Sequence, residues 1–188
     1  MTLKTYQLHI VLQGIEPKIW RRILVKETTP LVDFHRILQT CFGWTNSHLH
    51  LFKDGMYEYS PAEFEVENTH DSRALGLNDI LHLEGQIIYY LYDFGDYWEH
   101  KITLEKIIEE IVYDQVPQCM EGARRGPPED CGSIGGYYEN LKIIADKKHE
   151  EYKSTKMWLG RGYDPEEFKI DKINKLLKRR DFGCEWIE

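Results

Sequence analysis

The stretch YDFGDYWEH, Tyr92 to His100, gathers three carboxylates, an imidazole, an indole and three further aromatic rings within nine residues. Asp93, Asp96 and His100 are side chains of the kind that divide acid and base roles or hold Mg²⁺, Mn²⁺ or Zn²⁺. A second acidic pair, Glu129 and Asp130, lies in the loop PPEDCGSIGG. A structural role fits the same residues: Asp93 and Asp96 closing a turn, Glu129 and Asp130 pairing with Arg21 or Arg22, His100 hydrogen-bonded in the core. Ion-pair networks also assemble acids in clefts.

Three other constellations bear on chemistry. Cys119 and Cys131, with His100 or His48, are ligands of the kind that build a tetrahedral zinc site, though in no finger or ribbon spacing. Gly132, Gly135 and Gly136 precede a helical pattern, where backbone amides can hold phosphate; the neighbouring Glu129 and Asp130 oppose an anion there. Trp20, Trp44, Trp98, Tyr90, Tyr92 and Tyr137 can stack on a base or a peptide ring, or fill a core.

The elements that must position these residues follow from periodicity. Residues 87–92 are a β-branched and aromatic run of strand length. Asp93-Phe94-Gly95-Asp96 reads as a turn. Beyond it Trp98, His100, Ile102 and Leu104 alternate with Tyr97, Glu99, Lys101, Thr103 and Glu105. The pattern predicts a β-hairpin with Leu91 opposite Trp98 and Tyr89 opposite His100 if the loop has four residues; a three-residue loop with a bulge at Gly95 shifts the register by one.

Earlier in the chain, Tyr6, Leu8, Ile10 and Leu12 form one face of a strand, and Ile19, Ile23 and Val25 the face of a second. Arg21 falls in phase with that second apolar face, so it is expected to meet a carboxylate, because a buried unpaired charge is costly. Thr29 as N-cap and Pro30 at the first helical position open a helix through Phe42, ended by Gly43. Asp54-Gly55 marks another hairpin. Val116 to Met120 reads as one more strand. Helices are expected around Tyr137 to Ile144, from about Glu150 to Leu159, and after an Asp164-Pro165 cap through Leu177.

Composition narrows the functional classes. A formal net charge of −8 argues against nonspecific nucleic-acid binding, which draws its affinity from Lys and Arg on phosphates. Four cysteines without a CxxC pair fit reduced thiols. The amino terminus alternates like a strand rather than a signal peptide, and no segment approaches the roughly 20 apolar residues of a bilayer span. A cytoplasmic protein with no membrane partner is the expectation.

Five ordered motifs, IEPKIWRR, CFGWTNSHLHLF, LYDFGDYWEHKITLE, GPPEDCGSIGGYYENL and WLGRGYDPEEF, closely resemble the plasmid pRiA4b ORF-3-like family, over about Tyr6 to Leu177. The resemblance implies a prokaryotic protein linked to plasmids or mobile elements. One departure is Ser133, where a second glycine is expected after Gly132. Some relatives carry resolvase-like names. Serine recombination needs a nucleophilic serine among arginines, and Ser47, Ser60, Ser72, Ser133 and Ser154 have no such setting.

The sequence thus predicts a single domain over residues 1–188, strand-rich to 120 with a loop and helices from 121 to 188. Its class is α+β, with a mostly antiparallel sheet, an early packing helix and a helical carboxyl-terminal part. The expected cleft gathers Arg21, Arg22, Asp93, Asp96, Trp98, His100, Glu129, Asp130 and Tyr137. Asp93, Asp96, His100, Cys119 and Cys131 are the candidate metal ligands. No cofactor is predicted beyond a possible divalent metal. The leading functional reading is a non-enzymatic binding module for a protein, peptide or nucleic acid. A metal-dependent hydrolase is the alternative, and a DNA-binding or transposition-associated protein a third.

Overall fold

The computed structural model describes residues 4–109 and 116–184. Among them, one sheet is built from β1 (Thr5–Leu12), β2 (Trp20–Lys26), β3 (His50–Asp54), β4 (Tyr57–Ser60), β5 (His70–Asp71), β6 (Ile87–Tyr92), β7 (Trp98–Ile108) and β8 (Gln118–Ala123). The spatial order is β5-β4-β3-β6-β7-β1-β2-β8. Only β4 and β5 pair in parallel. Four helices join it: α1 (Leu31–Phe42), α2 (Ser133–Ala145), α3 (Tyr152–Leu159) and α4 (Ile170–Leu177). The fold is α+β, with a mostly antiparallel sheet, an early helix and helices towards the carboxyl end.

Alternation decides which sheet face is dry. Leu8, Ile10 and Leu12 of β1, Ile23 and Val25 of β2, and Ile88, Tyr90 and Tyr92 of β6 are buried, as are Trp98, His100, Ile102 and Leu104 of β7. Helix α1 contributes Leu31, Phe34, Ile37, Leu38 and Cys41 at helical spacing to the same core. Gly43 closes the helix at φ +84°, and Trp44 folds back so that its amide donates to Gln39 O (2.9 Å).

Three local expectations are corrected. Helix α1 begins one residue later than the Thr29 cap implied. Pro30 is itself the cap residue, with extended φ −57° and ψ 144°, and it bridges Gly76 while Leu31 N donates to Leu75 O. A backbone partner thus replaces the side-chain cap. The last helix starts at Ile170 rather than after Asp164-Pro165. Those two residues form a turn instead, with Asp164 accepting from Glu166 N (2.9 Å), because Pro165 O is taken by Arg125 N (3.0 Å).

The third correction concerns the central hairpin. Tyr92 pairs with Trp98 and Tyr90 with His100, leaving a five-residue turn, Asp93 to Tyr97. Asp93 and Tyr97 both adopt left-handed backbone conformations (φ +58° and +60°). Tyr97 N donates to Asp93 O (2.6 Å), and Gly95 N to Asp93 Oδ1 (2.9 Å). Self-bonding by an aspartate carboxylate makes this longer turn accessible. The register puts Tyr90 and Tyr92, rather than Tyr89 and Leu91, beside Trp98 and His100.

The loop after β8 lies close against the start of α2. A Cβ on Gly136 would fall well inside contact distance of Cys131 O. Gly136→Ala will therefore destabilise the protein by about 2 kcal/mol, within the usual cost of overpacking. Urea denaturation reads it; a change below about 0.5 kcal/mol would mean that the loop and helix can part freely.

Candidate functional site

The site forms where three chain segments meet: the link from α1 to β3, the β6–β7 turn, and the loop after β8. Its frame is a hydrogen-bond network under the sheet. His35 Nδ1 lies 2.8 Å from Tyr90 Oη and its Nε2 lies 2.7 Å from Asn46 Oδ1. Gln39 Nε2 donates to Tyr90 Oη (3.1 Å), and Asn46 N donates to Gln39 Oε1 (2.8 Å). With Nε2–H of a neutral His35 donating to Asn46, its Nδ1 accepts from Tyr90, and every member is satisfied. Burial supports that neutral state, pushing His35 down to about 4. The network fixes residues 44–48, and so His48.

Glu129 is anchored by one oxygen only. Its Oε1 accepts from Thr45 N (2.8 Å), Thr45 Oγ1 (3.1 Å) and Tyr92 Oη (3.0 Å). Tyr92 Oη also accepts from Ser47 N (3.1 Å). Glu129 Oε2 is buried, has no hydrogen-bond partner, and stands 3.8 Å from His48 Nε2. Asp93 repeats the arrangement: Oδ1 holds Gly95 N, while Oδ2 stands 3.7 Å from His48 Nε2. Asp130 Oδ1 is 3.1 Å from the same nitrogen, yet His48 Nε2 forms no aligned hydrogen bond. Donor atoms of His48, Asp93 and Asp130 all lie within 4.8 Å of one another.

The local backbone is held in sparsely populated conformations. Asn46, Asp93, Tyr97, Asp130 and Ser133 all have positive φ. Such residues persist where the surroundings over-determine them, and they concentrate at functional sites. Ser133, at φ +62°, occupies a conformation that favours glycine, and its hydroxyl donates to Asp96 O (2.8 Å).

The sequence-derived site residues divide sharply. Asp93, Glu129 and Asp130 meet around His48. Asp96 approaches the same loop without joining them; its Oδ2 accepts from Gly132 N (3.1 Å). His100 is fully buried among Phe42, Trp44 and Tyr90, with Nδ1 3.2 Å from Tyr90 O, and burial lowers its pKa to about 3. It is a core histidine. Trp98 and Tyr137 are buried as well, Trp98 stacked with Trp44.

Arg21 meets no carboxylate among the described residues, contrary to expectation. It donates to Cys41 O (2.7 Å), Trp20 O (2.7 Å), Ala123 O (2.8 Å) and Arg124 O (2.8 Å). Glu129 and Asp130 pair with neither arginine. Arg22 faces outward, bonded to Glu105 (2.7 Å) and also paired with Glu121. The zinc set is not assembled either. Cys119 Sγ donates to Glu121 O (3.5 Å), whereas Cys131 Sγ lies 4.0 Å from Ser133 O.

In the sequence His48 stands out only as a zinc partner for cysteines. The signal that could have raised it is HLH at 48–50 directly after Trp44-Thr45-Asn46-Ser47, a polar turn that returns the chain to the sheet.

The fold has known relatives. The profile of the plasmid pRiA4b ORF-3-like proteins matches residues 4–172. The chain belongs to this family. Among its relatives, the uncharacterized protein y4hQ of Sinorhizobium fredii is 33% identical over 189 residues, covering 99% of this chain and 96% of that protein. The crystal structure of MM3350 from Methanosarcina mazei Go1, a protein of unknown function, is 37% identical, with a TM-score of 0.82 over 91% of this chain and 98% of that one. The pRiA4b ORF-3-like fold therefore extends through the strands, loop and helices that assemble the His48 cluster. Among the described residues no helix is long and apolar enough to cross a membrane.

Proposed function

We propose that this pRiA4b ORF-3-like protein is a binding module centred on a divalent cation held by His48, Asp93, Glu129 and Asp130. One observation carries the reading: His48 Nε2 and Glu129 Oε2 are both buried without a hydrogen-bond partner and face each other across 3.8 Å. Ligand atoms about 2.1 Å from a common ion stand roughly 3 to 4 Å apart. The spacings from His48 Nε2, 3.1 to 3.8 Å, fall in that range. One imidazole nitrogen with carboxylate oxygens suits Mn²⁺ or Zn²⁺ better than an all-oxygen ion such as Ca²⁺. Protonated His48 balanced by the three acids is the competing account.

In this reading the ion ties the β6–β7 turn to the 122–132 loop. Asp130, whose side chain is 74% exposed, marks the open side, where a carboxylate or phosphate oxygen of a partner can complete the coordination. The link with plasmid or mobile-element biology rests on the family alone. Hydrolysis at the same centre is the second reading, supported by this open side, where a bound water would be activated. It no longer involves Asp96 or His100.

Chelator-treated protein titrated with Mn²⁺ and with Zn²⁺ will bind one ion per chain. At about 100 times its Kd the ion will stabilise the fold by roughly 2.7 kcal/mol. His48→Ala and Asp93→Asn will each weaken binding at least about tenfold. No saturable binding, or equal affinity in both variants, would leave only the protonated-histidine network. Turnover of a phosphate ester by the loaded protein, lost in His48→Ala, would convert the binding reading into the hydrolase.

A further inference from the structure

A second polar site lies beside the carboxyl end of α1, and the cation centre leaves it unexplained. Its floor is Arg21, only 2% exposed and without an acidic partner among the described residues. The guanidinium lies between two aromatic rings, 5.0 Å from the Phe42 centroid and 4.7 Å from that of Phe168. Its hydrogen bonds go to four main-chain carbonyls. Carbonyl dipoles satisfy donors but leave the net charge in place, and a buried net charge is costly until something compensates it.

Over this floor opens a cleft of about 170 Å³, lined also by Arg125, Lys169, Lys172 and Glu167. Arg125 stands 3.9 Å from Glu167, and Lys169 is paired with the same carboxylate. One acid thus serves four cations, leaving the cleft three charges positive within a chain whose net charge is −8. The three cations of the rim are exposed, and so are placed to meet a ligand. Phe168 supplies an apolar wall, and Gly126 lets the loop close over the end of α1, because a Cβ there would collide with Phe42 O.

We propose that this cleft binds a phosphate group, seated above Arg21 and gripped by Arg125, Lys169 and Lys172. A dianion matches the surplus charge better than a carboxylate does, and the volume accommodates one phosphate with a small substituent. Free phosphate and a phosphorylated metabolite share this chemistry. Burial lowers the Arg21 pKa only to about 10, so the floor stays cationic at neutral pH.

The experiment is an NMR titration of the full chain with inorganic phosphate at low ionic strength, with phenyl phosphate and acetate run in parallel. Phosphate will shift the Gly126 and Ile173 amides with a Kd of about a millimolar or below, and acetate will do so at least tenfold more weakly. Stronger binding of phenyl phosphate would identify a phosphorylated organic molecule as the ligand; equal binding would identify the free ion. The Lys169→Gln/Lys172→Gln double variant will lose at least tenfold in affinity, and Glu167→Gln will gain, since it removes the one opposing charge. No shift at those amides below about 10 mM phosphate overturns the proposal. So does acetate binding as well as phosphate, or affinity unchanged in the double variant.

Discussion

Acidification to about pH 5 will unfold this protein or bring it to the edge of unfolding, and buried histidines will account for most of the loss. His35 and His100 are held down to about 4 and about 3, chiefly by burial, and His50 is held well below its ordinary value by burial and by the adjacent His35. His35 and His50 stack with ring centroids 3.5 Å apart, a contact suited to neutral rings. Below the ordinary histidine pKa of 6.5 the unfolded chain takes up protons that the folded chain refuses. Stability is therefore full above that value. It falls as pH drops towards about 4 for His35 and about 3 for His100.

Taken over their whole windows, the two shifts correspond to roughly 3 kcal/mol for His35 and 5 kcal/mol for His100. By pH 5 about 2 kcal/mol of each is already lost, so this pair, with His50 adding to it, removes a large part of the roughly 5–15 kcal/mol of a typical domain. Urea denaturation at pH 7 and pH 5 measures the effect. His100→Gln will reduce the difference between the two pH values by about 2 kcal/mol, whatever it costs at pH 7. An unchanged difference would mean that His100 is not the neutral, water-excluded ring described above.

Arg21→Met will cost about 4 kcal/mol or more. Replacing a buried ion pair by apolar side chains is often tolerated, because both charges leave together. Arg21 is different: its acceptors are the carbonyls of Trp20, Cys41, Ala123 and Arg124, of which those of Cys41 and Arg124 lie in buried bonds and the other two in partly buried ones, and they stay in place after the substitution. Each buried acceptor left unpaired costs on the order of 1–3 kcal/mol. Arg21→Lys will recover little, since one ammonium cannot span the planar fork of acceptors. A loss below about 1 kcal/mol in urea for Arg21→Met would show that these carbonyls find water instead.

The same residue marks how far the sequence could be read. Its phase on β2 announced a buried arginine, because alternation is a local property of the strand. Its partners were not legible. Two of the carbonyls belong to Ala123 and Arg124, about a hundred residues away, aimed by the course of the chain as it leaves β8. Every residue carries a carbonyl, so side-chain identity gives no hint of which ones converge. A carboxylate was the natural expectation, since only charged side chains are visible as partners in a sequence.

The hairpin shows the same division on a smaller scale. The inward face of β7 followed from alternation alone. The register against β6 did not, since it hung on whether the turn had three, four or five residues, and Asp93 and Tyr97 settled that by entering left-handed conformations.

The sequence by itself determined the α+β class, the apolar faces of strands and helices, the helix stop at Gly43 and the family, because each is written in local periodicity or in ordered motifs. It also raised Asp93, Glu129 and Asp130 as chemistry-bearing residues. Only the tertiary structure decided that His48, rather than His100, is the imidazole they surround. The links that bring His48 to them run from His35 to Tyr90 and from Tyr92 to Glu129, pairs of residues far apart in the chain. Contacts of that kind depend on how whole elements pack, which no local pattern encodes.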